Sequence, residues 1–96
     1  MKKGGAIYII TNKNNTTLYV GVTSRLKERI WEHKTCKYPD SFSARYNLHK
    51  LVYFEYFPFI VEAIARETAL KGKSRAKKIA LINALNPEWR DLFDNL

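Results

Sequence analysis

Cysteine is almost absent from this chain. Cys36 is the only one in 96 residues, which excludes an internal disulfide and any zinc site built from several thiolates. Acid is also scarce: 9 Asp and Glu stand against 17 Lys and Arg, for a formal net charge of +8. No run approaches the ~18 apolar residues that a membrane helix needs. Met1-Lys2-Lys3 is basic, but the apolar stretch behind it stops at Thr11-Asn12-Lys13. That is too short for a signal-peptide core, and no small-residue cleavage pattern follows. The expectation is a reducing, cytoplasmic setting without a membrane partner. Residues 1–96 read as one domain with a single modest core. At 46% hydrophobic and 14% aromatic, the sequence is too apolar for a disordered polymer. The charge excess therefore sits on a folded body.

Ala6 to Thr11 reads as a strand, rich in β-branched and aromatic side chains. Asn12-Lys13-Asn14-Asn15 is a turn, and Thr17 to Gly21 returns as a second strand. Two registers are open. A loop at Lys13-Asn14 sets Tyr8 directly opposite Tyr19, whereas a loop at Asn14-Asn15 sets Tyr8 opposite Gly21 with Tyr19 on the diagonal. In both, the tyrosines share one face of the sheet; only an odd-length loop without a bulge would part them.

Thr23 or Ser24 is the expected N-cap of a helix from Arg25 to about Lys34. A loop extends from Tyr38 to about Asn47, and its aromatic and cationic content suits contact with a ligand. Leu51 to Phe57 is a third strand, apolar enough for the centre of the sheet. A helix follows from Phe59 or Ile60 to Lys71, with Gly72 as a break. A last helix, capped by Ser74, runs to Leu85 and is stopped by Asn86-Pro87. Trp89 and Leu92 anchor a short tail, which with Phe93 either covers the core or offers a surface for a homodimer. The order ββαβαα gives a small α/β (α+β) sandwich: three strands, mostly antiparallel, flanked by helices.

Polar residues stand on the helix faces that should be apolar. Leu26, Arg29, Ile30 and His33 form one i, i+3, i+4, i+7 stripe, and Ile60, Ala63, Ile64 and Glu67 form another. A charge buried without a partner costs several kcal/mol, so each polar member needs a partner or an opening to solvent. A cleft shared by Tyr8, Tyr19, Arg29, His33 and Glu67 would satisfy them together. Blander readings stand beside this one: core tyrosines with bonded tips, an Arg29–Glu67 ion pair between helices, and a partly exposed helix histidine. The basic residues fall in two groups, Lys27, Arg29 and Lys34, then Lys71, Lys73, Arg75, Lys77 and Lys78. They form either a solvated face or a footprint for a phosphate backbone.

Ala6-Ile7-Tyr8, then Tyr19-Val20-Gly21 eleven residues from tyrosine to tyrosine, resembles the paired motif of the GIY-YIG endonuclease superfamily. The likeness continues through Thr23, Leu26, Arg29, Glu32-His33-Lys34, Ala63, Arg66-Glu67, Lys71, Arg75, Lys78, Leu81-Ile82, Asn86-Pro87 and Trp89 to Leu92. It covers nearly the whole chain and is nearest to the small bacterial branch of YhbQ/YazA-like (UPF0213-type) proteins. The resemblance implies hydrolysis of phosphodiesters with one Mg²⁺ or Mn²⁺. It implies catalytic roles for Tyr8, Tyr19, Arg29, His33 and Asn86, and a metal-binding role for Glu67. The implied partner is nucleic acid, DNA before RNA, with a place in DNA repair or processing. A phenol needs nearby cations before it can serve as a base at neutral pH. Departures from the pattern are Ala6 in place of the Gly of the motif's name, Val22 where some members carry Lys, and the interruption at Gly72 and Ser74. No appended targeting module is expected, so Lys27, Lys34, Lys71, Lys73, Arg75, Lys77 and Lys78 would supply affinity that is salt-dependent and weakly sequence-specific. Two other readings remain: a nucleic-acid-binding module with little catalysis, and a basic face that docks an acidic protein partner.

Overall fold

A computed structural model describes residues 4–96; Met1-Lys2-Lys3 lies outside the described residues. The elements are β1 (Gly5–Thr11), β2 (Leu18–Thr23), α1 (Leu26–Lys34), α2 (Phe42–Arg45), β3 (Lys50–Phe57), α3 (Ile60–Lys71) and α4 (Arg75–Leu85). A 3-10 turn at Phe93–Asn95 follows. The strands form an antiparallel sheet in the order β2-β1-β3. The architecture is the small α+β sandwich expected from the sequence.

The expected central strand is not the observed one. The segment Leu51–Phe57 lies at an edge, and β1 occupies the middle with all of its residues buried. The physical reason is charge and alternation. β1 carries no charged side chain, whereas β3 includes Lys50 and Glu55 and its second half is open to solvent. The tail covers the first half of that edge strand: Leu92 N–H donates to Leu51 O at 2.8 Å, and the Asp91 carboxylate accepts from Leu51 N–H at 3.3 Å.

The hairpin takes the second of the two registers. Tyr8 faces Gly21 and Ile10 faces Tyr19, so the tyrosines are diagonal neighbours on one face. Asn12 fixes the loop, its Oδ1 accepting from Thr16 N–H at 2.8 Å and Thr17 N–H at 3.1 Å. Asn15 takes the left-handed backbone at φ 60°.

Each face of the sheet has its own core. Ile7, Ile9, Val20 and Val52 pack with Ala63, Leu70 and Ile82 from α3 and α4. Ala6, Tyr8, Ile10 and Leu51 pack with Leu26 and Ile30 of α1 and with Leu48. At Gly5 an added Cβ would lie 2.4 Å from Ile60 Cδ1, so this glycine lets α3 settle against β1. Ala6, which replaces the Gly of the motif's name, is buried with its methyl group in the opposite core.

Three local expectations are corrected. Neither Thr23 nor Ser24 caps α1: its N-cap is Arg25, and Thr23 Oγ1 instead accepts from Arg25 N–H at 3.0 Å. The Tyr38–Asn47 loop contains α2, capped by Ser41; four residues are too few to show helical periodicity. Ile64 is 46% exposed, so the inward stripe of α3 passes through Ile60, Ala63, Glu67 and Leu70 instead. Ser74 does cap α4, accepting from Lys77 N–H at 3.2 Å. Among the described residues, no helix is long and apolar enough to cross a membrane.

Candidate active site

The alternation of β1 and β2 turns Tyr8 and Tyr19 toward α1. Their ring centroids lie 6.5 Å apart, and both approach the imidazole of His33, at 5.6 Å from Tyr8 and 6.2 Å from Tyr19. Tyr8 is the buried one, at 1% exposure. Burial pushes its phenol up to about 12; the Arg29 guanidinium opposes this, and the charges of Tyr19 and Glu67 add to it. Tyr8 in this structure is a neutral hydroxyl.

That hydroxyl is tied into a chain. Tyr8 Oη and His33 Nε2 are 2.9 Å apart, His33 Nδ1 and Ser43 Oγ 2.7 Å, and Ser43 Oγ and Ser41 Oγ 3.2 Å. Burial pushes the His33 imidazole down to about 4, with the Arg29 charge acting the same way. A neutral imidazole has one donor and one acceptor. Were Nε2 the donor, the buried Tyr8 proton would have no acceptor among the described bonds, which is costly. Tyr8 therefore donates to Nε2, Nδ1–H donates to Ser43, and Ser43 donates to Ser41. Ser43, itself buried, was invisible to sequence reasoning. It sits in a helix of one turn, where no hydrophobic period marks the inward position.

Arg29, one helical turn before His33, is half-buried beside the same phenol. Burial disfavours its charge, but the Glu32 carboxylate and Tyr8 outweigh that, so its pKa rises. Its Nη1 donates to Glu32 Oε1 at 3.0 Å and the guanidinium also bonds toward the Tyr8 phenol, so only the remaining N–H groups of the fork could meet a ligand. The Arg29–Glu67 pair considered from the sequence does not form. Glu67 is paired with Lys71, 3.2 Å away one turn along α3.

Tyr8, Tyr19, Arg29 and His33 thus come together, and Glu67 is near enough for its charge to act on Tyr8. No group of three or more His, Cys, Asp or Glu gathers among the described residues. The donor set that remains, one half-buried carboxylate, fits a hard divalent cation that keeps most of its water and leaves room for phosphate oxygens.

Asn86 stands apart in its bonding. It is buried, its Nδ2 donates to Val52 O at 3.1 Å and Arg90 O at 2.8 Å, and its Oδ1 accepts from Arg90 N–H at 3.1 Å. These bonds use the amide to clamp the tail to β3. Two of the basic residues are also employed internally. Lys34 donates to His49 O at 2.8 Å and pairs with Asp91, and Arg75 donates to Thr16 O at 2.9 Å in the hairpin loop. Lys27 and Lys77 are exposed, Lys73 and Lys78 half-buried.

A sequence model described as the GIY-YIG catalytic domain matches residues 4–80. A UPF0213 protein of Syntrophus aciditrophicus (strain SB) is 34% identical over 82 residues, 85% of this chain and 92% of that protein. A UPF0213 protein of Clostridium perfringens (strain 13 / Type A) is 35% identical over 82 residues, 81% of this chain and 82% of its own. The solution NMR structure of a UPF0213 protein from Bacillus halodurans superposes with a TM-score of 0.58 at 26% identity, over 92% of each chain.

Proposed function

The chain belongs to the GIY-YIG family, in its UPF0213-type branch, and from that premise we propose that it is a divalent-cation-dependent endonuclease hydrolysing phosphodiester bonds in nucleic acid, DNA before RNA. The observation that carries the reading is the chain Tyr8–His33–Ser43 lying beside Arg29. A proton acceptor, a relay and a guanidinium fork are the parts that phosphodiester hydrolysis asks of a protein.

The free N–H groups of Arg29 hold the non-bridging oxygens of the scissile phosphate and meet the negative charge that grows on them. A water aligned behind the phosphorus gives its proton to Tyr8 Oη as Tyr8 passes its own to His33 Nε2. The water oxygen bonds to phosphorus as the bond to the leaving oxygen breaks; that oxygen departs with the bonding pair and takes a proton from solvent water. The relay answers the difficulty of a phenol raised to about 12, because Tyr8 need never exist as a free phenolate. His33 is neutral and open to a proton at rest, and the approaching phosphate opposes the depression of its pKa. Tyr19, half-buried, borders the space in which water and phosphate meet. Glu67 would hold Mg²⁺ or Mn²⁺, which when bound supplies Lewis-acid polarisation of the phosphate. Exposed Lys27 and Lys77 would contribute salt-dependent affinity for a phosphate backbone. Such an enzyme would work in the cytoplasm, in repair or processing of DNA.

The test is a panel of labelled single-stranded, duplex, flap, branched and abasic DNA, and RNA, each with Mg²⁺, Mn²⁺ or EDTA, beside Glu67→Ala. Metal-dependent cuts absent from the variant are expected. The second reading, a binding module with little catalysis, draws on the Lys71 ammonium already seated on Glu67. Binding across the panel without cleavage in either metal would establish it instead.

A further inference from the structure

The aromatic side chains around the site do not stop at the tyrosine pair. Tyr19 is followed by Phe42, with centroids 6.0 Å apart and planes at 28°, and Phe42 by Tyr46, at 4.6 Å and 37°. The three rings lead outward from the Tyr8–His33 chain to the surface. Phe42 opens α2 and Tyr46 caps its C-terminal end, and they remain 47% and 51% exposed. The same short helix is fastened to the site from within, because Ser43, next to Phe42, holds His33. A further ring, Tyr38, is half exposed, with Arg29 Cζ 5.8 Å and Lys37 Nζ 5.6 Å from its centroid.

Burial does not account for rings that keep about half their surface in water. Exposed ring faces at Phe42 and Tyr46, with cations held against Tyr38 nearby in the chain and a net charge of +8, match a ligand with a flat π-system on an anionic chain. A base inside a continuous duplex has both faces covered by its neighbours. Only an unpaired or displaced base can offer a face to a protein ring.

We propose that Phe42 and Tyr46 form a stacking platform for an unpaired nucleobase adjoining the phosphate at Arg29, so that the preferred substrate is single-stranded or locally unpaired nucleic acid. The inference rests on the nuclease reading and names its substrate class. Stacking supplies affinity that the two internally tied cations, Lys34 and Arg75, do not.

The experiment separates the platform from the nuclease reading. Full-length protein in EDTA is titrated with a single-stranded oligonucleotide carrying 2-aminopurine, and with the same strand in a blunt duplex. Quenching of the 2-aminopurine fluorescence on binding the single strand is expected. Phe42→Leu or Tyr46→Leu, which keep apolar bulk but remove the π face, should weaken single-strand binding roughly tenfold and leave duplex binding within about twofold. Phe42→Trp, which keeps a π face, should bind the single strand as tightly as the parent protein. Equal losses on both strand types, or no loss on either, would overturn the platform. Metal-dependent cleavage whose strand preference is unchanged in Phe42→Leu would overturn it too, while leaving the nuclease standing. Absence of binding to either form would overturn the platform, while metal-dependent cleavage in the substrate panel decides the nuclease reading separately.

Discussion

Gly21 is the residue directly across the ladder from Tyr8, and a Cβ placed on it would lie 2.3 Å from both Cζ and Oη of that phenol. The backbone of Gly21 does not require glycine, since no glycine here has a positive φ. What the position requires is empty space, into which the ring of Tyr8 leans on its way to His33. The final glycine of the Tyr19-Val20-Gly21 motif is thus a steric partner of the first motif's tyrosine.

Gly21→Ala should therefore act through Tyr8. The methyl group has no flexible neighbour to push aside, only a ring held by a buried hydrogen bond. Overpacking of this kind costs about 1–3 kcal/mol. Urea denaturation should show that loss, and cleavage by the fraction still folded should fall further, because the phenol leaves His33. Full activity in a variant of unchanged stability would mean that the ring position is unimportant.

His33 makes stability depend on pH in a defined window. Its pKa is near 6.5 when unfolded and about 4 in the structure. Between those values the unfolded chain binds a proton that the folded protein refuses, so stability is full above about 6.5 and declines as pH falls toward 4. From about pH 7 to about pH 5 the expected loss is about 2 kcal/mol. His33→Gln should flatten that decline. A chemical-denaturation series at several pH values checks both slopes; parallel slopes in the two proteins would place the titration elsewhere. Ser43→Ala should expose the other end of the chain. The Nδ1–H that it strands costs about 1–3 kcal/mol, and ¹⁵N NMR of the imidazole should show the tautomer no longer fixed.

Asn86 separates a structural from a catalytic account. Its three hydrogen bonds run to main-chain atoms of Val52 and Arg90. Asn86→Ala should cost about 1–3 kcal/mol, as expected for buried polar groups left unpaired. At a temperature where the variant is fully folded, its cleavage rate should stay within about twofold of the parent rate. A rate loss of several hundredfold in a stable variant would return Asn86 to the reacting centre.

The sequence made much of this legible, for physical reasons. The shared face of Tyr8 and Tyr19 follows from a period of two whichever even-length turn joins the strands, so the uncertain register did not matter. The stripe through Leu26, Arg29, Ile30 and His33 follows from the helical period, and polar members of such a stripe must find partners. Partner choice was less legible. Arg29 pairs with Glu32 and Glu67 with Lys71, in place of the Arg29–Glu67 pair that was one reading of the stripes, since neighbours one turn away are reached at little entropic cost. Ser43 and the hydrogen bonds of Asn86 were hidden, because each depends on where a loop or tail returns in space.

Lys71 gives the last prediction. Its ammonium lies 3.2 Å from Glu67 on a half-exposed side chain, an i, i+4 pair of the weak surface kind. Any cation that reaches this carboxylate must displace Lys71 and then tolerate a like charge close by. Lys71→Gln removes both obstacles without touching the carboxylate. Mn²⁺ binding to the protein alone, followed by electron paramagnetic resonance of the free ion, should tighten by roughly two- to tenfold. Glu67→Gln should abolish it. If Lys71→Gln leaves Mn²⁺ affinity unchanged while Glu67→Gln removes it, the ammonium swings clear at no cost. If neither substitution matters, Glu67 is not the residue that holds the ion.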